Sequence, residues 1–99
     1  MIKHIILWKL RDDIPECERQ TCREEAKRRL EGLAGKIDGM ISIKVNACPL
    51  DSSNADMMLE SEFVSVHALD GYQKNPLHLE AASYVRSVVS QRLCLDFEV

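Results

Sequence analysis

Tyr72, Asn75-Pro76 and His78 stand close together in GYQKNPLHLEAASYVRS, residues 71–87, and they are the residues best placed to do chemistry. Asn75 suits a helix N-cap and Pro76 the first helical position, so His78 counts as the third residue of a helix. An imidazole there feels the positive end of the helix dipole. That disfavours its charged form and keeps it neutral near neutrality, the state of a general base. A phenol just ahead of the helix break can donate to a substrate oxygen as charge develops there. The chemistry this pair suggests is removal of a proton α to a carbonyl by His78, with Tyr72 holding the enolate and no cofactor.

His4 is the third candidate. It lies mid-strand among apolar neighbours and can face His78 only if its side of that strand meets the helices. Ile6 and Trp8 would then share the pocket from the strand, and Ala82 and Val85 from the helix. Each residue also has a plain structural role. His78 could pack at a helix start, His4 could sit in the core with one nitrogen satisfied, and Tyr72 could be an edge-of-core aromatic with a wet hydroxyl. Trp8 reads as core and His67 as exposed.

These residues need elements to position them. In residues 2–10, Ile2, His4, Ile6, Trp8 and Leu10 alternate with Lys3, Ile5, Leu7 and Lys9, a strand pattern with apolar residues on both faces. Helix formers follow to about Ala34, with Asp13 or Ile14 preceding Pro15 at the start and Gly35 as the stop. Cys22, Ala26, Leu30 and Leu33 make an inward stripe, and Glu24–Arg28 and Glu25–Arg29 are favourably oriented i,i+4 pairs. Residues 40–48 alternate again, with Ile41, Ile43 and Val45 on one face. CPLDSSNAD is a loop by composition.

A third strand spans Asp56 to Val64, with Met57, Leu59, Ser61 and Phe63 on one face. Ser65 caps a short helix through Tyr72, and a second begins at Pro76. Within that helix His78, Ala82, Val85 and Val89 share a stripe. Leu93, Leu95, Phe97 and Val99 alternate with Arg92, Cys94, Asp96 and Glu98 in a final strand. The order is β-α-β-β-α-β: an α+β, ferredoxin-like fold, a four-stranded antiparallel sheet with both helical segments on one face. No boundary is visible inside residues 1–99, which read as a single domain.

The chain has 99 residues, 29% charged and 45% hydrophobic, with a formal charge of −3. That balance suits a globular protein with one core and offers no clustered basic surface for nucleic acid. The opening segment alternates with lysine, so neither a membrane span nor a signal peptide is expected. Cys17, Cys22, Cys48 and Cys94 form no CxxC pair or spaced Cys/His set, so reduced thiols, a cytoplasmic location and no metal site are expected. If two helical segments cover one sheet face, Ile5 and Leu7 remain on the other with similar residues from later strands. The economical cover is a second copy, giving a homodimer.

IKHIILWKL, SEFVSVHALDGYQKNPLHLEAASYVRSVV and LCLDFEV together resemble the Dabb family, the stress-responsive dimeric A/B barrel proteins. The likeness spans essentially the whole chain and implies homodimers whose sheets pair into a dimeric α/β barrel. Many members have no assigned reaction, while one plant member closes a linear polyketide by aldol condensation. The family's catalytic histidine and tyrosine match His78 and Tyr72, and its first-strand pocket histidine matches His4. Met57 stands at another pocket position, in place of a polar residue. Asn75 replaces a frequent histidine, and Cys22, Arg23 and Ala26 replace pocket aromatics. Arg86 matches the family's Val-Arg and is expected to brace the fold or the dimer.

The expectation is a homodimer with a small-molecule pocket between sheet and helices, its ligand small and apolar or carbonyl-containing. Cofactor-free, cyclase-like acid/base catalysis by His78 and Tyr72 is the alternative, and a purely structural dimer is the third. Open space beside His78 favours the first two.

Overall fold

Strand β1, Ile2–Leu10, buries its even-numbered side chains, while the odd-numbered ones are half-buried or exposed, in the computed structural model describing residues 1–99. Helix α1 follows at Glu16–Glu31 and leads to strands β2, Met40–Asn46, and β3, Met57–Phe63. Helices α2, Val66–Lys74, and α3, Pro76–Val88, precede the last strand, β4, Val89–Glu98. The sheet order is β2-β3-β1-β4 with every neighbouring pair antiparallel, the ferredoxin-like arrangement. No helix is long and apolar enough to cross a membrane.

One core lies between the sheet and the helices. Ile6, Leu59 and Val45 meet Ala26 and Leu30 of α1, Leu69 and Tyr72 of α2, and Val85 of α3. All three helices therefore cover the sheet face that carries His4. Burying a large apolar side chain contributes roughly 1.5–3 kcal/mol, so fully buried Phe63, Leu10 and Leu59 are principal contributors.

The opposite face is uncovered. In the β1–β4 register Ile5 faces Leu95, Leu7 faces Leu93 and Lys3 faces Phe97. Leu93 and Leu95 are 70% and 63% exposed. The apolar residues on this side concentrate on β4 and β1. On β3 the outer face carries Glu60 and Glu62 beside Met58, and Glu60 accepts a 2.8 Å bond from Lys3 Nζ.

Several local expectations shift. Helix α1 starts one residue later than expected, with Pro15 as a cap residue that has no side-chain hydrogen bond. Its regular part stops at Glu31. The Leu33 and Ala34 amides bond carbonyls three residues back, tightening the turn before Gly35 reverses the chain at φ 77°. Glu25 takes both Arg28 and Arg29, at 2.6 and 2.8 Å, while Glu24 accepts from Gln20 instead of Arg28. The paired guanidiniums hold the Glu25 carboxyl down at about 2.

Strand β2 ends at Asn46, and a register shift between Met40 and Ser42 turns Ile41 outward, away from Val45. Strand β4 begins at Val89, directly on the end of α3 and earlier than expected from the alternation alone. Gly39 has φ 79°, and a Cβ there would sit 2.6 Å from that of Ala68, so the α2–β2 approach requires glycine.

Candidate functional site

The break between α2 and α3 builds the site. The Ser65 hydroxyl caps α2 by accepting from the Ala68 amide at 3.1 Å, and the Asn75 side chain caps α3 by accepting from Leu77 at 2.9 Å. Pro76 occupies the first turn of α3, where its missing N–H costs nothing. The bend leaves Tyr72 in the last turn of α2 and His78 in the first turn of α3, with ring centroids 4.1 Å apart. His4 on β1 lies 6.1 Å from the Tyr72 ring, edge to face, and Phe63 lies 5.1 Å from it.

The His4, Tyr72 and His78 side chains border a cavity of about 440 Å³ between the sheet and α3. His4, Ile6 and Trp8 line it from β1, and Tyr72 and Gln73 from α2. His78, Ala82, Val85 and Arg86 line it from α3, and Arg92 and Cys94 from β4. His4 and His78 thus share one hollow with Trp8 as a wall. Met57 does not line it; it is buried beside Trp8, its register partner.

Polar groups here are unevenly satisfied. Tyr72 Oη and His78 Nδ1 are buried and have no hydrogen-bond partner in the protein. Such groups cost about 1–3 kcal/mol each when left unpaired. Burial pushes the Tyr72 phenol well above its usual range, so it stays protonated and can only donate or accept as a neutral hydroxyl. Burial also pushes the His78 imidazole down, with His4, Arg86 and Arg92 adding to the effect and the Gln73 main chain opposing it. The neutral state expected from the helix position therefore has a different main cause, desolvation.

His4 is almost wholly buried, and its Nδ1 contacts the Asp96 carboxylate. That contact with the carboxylate holds the imidazole ring in one orientation. Cys94 Sγ lies 3.8 Å from the same nitrogen and 3.5 Å from Asp96 Oδ1. Burial, then the neighbouring Asp96, raises the Cys94 thiol, which keeps it protonated and unreactive near neutrality. His4, Cys94 and Asp96 are donor types suited to a transition-metal ion, with ligand atoms within 4.8 Å of one another. In the structure His4 and Asp96 contact each other directly, so the carboxylate orients the imidazole.

Sequence reasoning missed Asp96, Cys94 and Arg92. All lie on the even side of β4, whose polarity against Leu93, Leu95 and Phe97 was visible. Their approach to His4 and Trp8 depends on β4 pairing with β1, as in the His4–Asp96 register. Arg86 makes no hydrogen bond or ion pair within the chain and lines the cavity. All four cysteines are free, and His67 is exposed.

A dimeric protein of unknown function from Bacteroides fragilis has the same ferredoxin-like fold, with 31% identity over 99% of this chain and 95% of its own, at a TM-score of 0.92. A dimeric ferredoxin-like protein of unknown function from Thermobifida fusca is 18% identical over 99% of this chain and 90% of its own, at 0.78. The hydroxynitrile lyase of Passiflora edulis shares the fold at 14% identity, covering 99% of this chain and 92% of that one, at 0.72. No curated protein matches the chain. The dimeric neighbours, together with the apolar outer sheet face, support self-association. A family model, Stress responsive A/B Barrel Domain, matches residues 2–99, and the chain belongs to that family, Dabb.

Proposed function

We propose that the protein is a cytoplasmic homodimer whose cavity binds a small, partly apolar carbonyl compound. The observation that carries this reading is that Tyr72 and His78, the two residues with a buried, unpartnered side-chain polar atom, both line the same open hollow. A carbonyl ligand supplies what that wall lacks. Its oxygen accepts the Tyr72 hydroxyl, and its apolar body rests on Ile6, Trp8, Ala82 and Val85. A structural dimer without a ligand would gain more by filling this space.

Acid/base turnover is the second reading, and the neutral state of His78 favours it. The imidazole takes a proton from the carbon next to the carbonyl, and the Tyr72 phenol stabilises the enolate oxygen. His4, oriented by Asp96, lines the same space, and the proton returns to carbon or oxygen from the His78 imidazolium that took it. The Passiflora edulis hydroxynitrile lyase has the same fold, which is compatible with such chemistry but does not identify a substrate.

A thermal-shift screen of small ketones and aldehydes, run on wild type and His78→Ala, tests the binding reading. A compound that stabilises wild type and loses most of its effect in the variant is the expected result. Equal shifts in both proteins, or no shift with any compound, would overturn it. Exchange of ketone α-protons into deuterium oxide, followed by NMR, tests turnover separately.

A further inference from the structure

The cavity has a charge asymmetry that the carbonyl reading leaves unexplained. The chain holds 16 acidic and 13 basic Lys and Arg residues, yet the cavity lining contains two arginines and no carboxylate. Arg11 and Arg19 are paired with aspartates, Arg28 and Arg29 with Glu25, and Arg23 with the Gln20 amide oxygen. Arg86 and Arg92 are exposed and alone among the arginines have no oxygen acceptor within the chain, Arg92 reaching only the Cys94 thiol. Both face the one hollow, from either side of the corner where α3 runs into β4. Their charges also reach His78 and help to depress its protonation.

A guanidinium offers five donors in a planar fork suited to a carboxylate. Two unpaired forks at the rim of an otherwise apolar cavity, 10 of whose 15 lining residues are hydrophobic, describe a receptor for one anionic group on an apolar body. From these observations we propose that the ligand is an oxo acid, its carboxylate held by Arg86 and Arg92 and its carbonyl directed to Tyr72 and His78.

The helix sets the spacing. Arg86 lies eight residues beyond His78 on α3, about 80° round the helix and about 12 Å along it. The arginine side chain can reach back over part of that distance. The acid and carbonyl groups are therefore separated by several bonds, which disfavours a compact 2-oxo acid. A phosphate ester would meet the same guanidiniums, but a dianion costs more to bring into so apolar a hollow. The carboxylate is therefore the assigned group.

This inference rests on the carbonyl-binding reading for one end of the ligand only, and calorimetric titration separates the two. The probes are 4-oxo-4-phenylbutanoate, longer ω-benzoyl alkanoates, their methyl esters, and alkyl phosphates of matched length. The proteins are wild type, Arg86→Gln/Arg92→Gln and Arg86→Lys/Arg92→Lys. Melting of each variant pair, measured alongside wild type, is the control for folding.

At least one acid should bind wild type about tenfold or more tighter than its ester, a preference that salt erodes. The glutamine pair should abolish the preference, and the lysine pair should restore part of it. Esters that bind as well as the acids would overturn the carboxylate assignment while leaving the carbonyl pocket standing. Tighter binding of the phosphates would replace the carboxylate by phosphate. Failure of every acid and ester in the millimolar range would overturn both readings.

Discussion

The Tyr72 and His78 rings lie 4.1 Å apart, tilted by 38°, across the break between two helices, and each residue lines the cavity and carries a buried polar atom that the protein leaves unpaired. A hydroxyl in this condition is a liability to the fold, which a ligand that reaches it and accepts from it would relieve. Tyr72→Phe keeps the ring and removes the liability. The variant is expected to match or exceed wild-type stability by up to about 1 kcal/mol in urea unfolding while losing ligand-induced stabilisation. A loss of more than about 1 kcal/mol would show that the hydroxyl serves the fold.

The pH dependence of His78 has a definite sign. Its folded pKa lies below the reference of 6.5, so the unfolded chain binds the extra proton first. The contribution of neutral His78 to stability is complete above 6.5 and is lost as the pH falls below it toward the folded pKa. Unfolding free energies measured from neutral into mildly acidic buffer should therefore fall less steeply for His78→Ala than for wild type. Identical slopes would place the imidazole in water.

Asp96→Asn tests the oriented histidine. The carboxylate is half-exposed but its partner His4 is almost fully buried, so the loss should be about 1–2 kcal/mol. Nitrogen NMR should report a changed His4 tautomer, because an amide can donate to Nδ1 where the carboxylate could only accept. An unchanged tautomer together with unchanged stability would remove Asp96 from the site.

The outer sheet face should be where two copies meet. Leu95 is 63% exposed opposite Ile5, in a strip that also holds Leu93 and Phe97. Leu95→Asp places a charge at the centre of that strip, where burial without a partner is costly. Sedimentation velocity should show a dimer for wild type and a shift toward monomer for the variant. A monomeric wild type would rule out the barrel assembly for this chain.

Cap loss should be felt at the site as well as in stability. Asn75→Ala removes the acceptor of the Leu77 amide and should cost about 1 kcal/mol. Because that cap fixes the start of α3, the same change should weaken ligand-induced stabilisation. Thermal shifts with and without a cavity ligand check both effects.

Period-two alternation in β1 and β3, the inward stripe of α1 and the Asn75-Pro76 break were all legible in the chain, because each depends only on neighbours a few residues away. So was the proximity of Tyr72 to His78, which the break enforces locally. The fold order followed from placing those elements in sequence. Ile41 and the early start of β4 were not legible: a register shift and a helix-to-strand corner are decided by the pairing partner rather than by the segment itself.

The tertiary structure alone decided what surrounds His4. Asp96 is its partner across a strand pair that joins the two ends of the chain, and Met57, on an inward face, is taken into the core beside Trp8 rather than into the cavity. Arg86 and Arg92 illustrate the same division. Their identities are in the sequence, but their shared cavity and lack of acidic partners emerge only when α3 and β4 close around the same space. Local periodicity determines which side of an element is apolar, whereas the charge balance of a hollow depends on several elements converging.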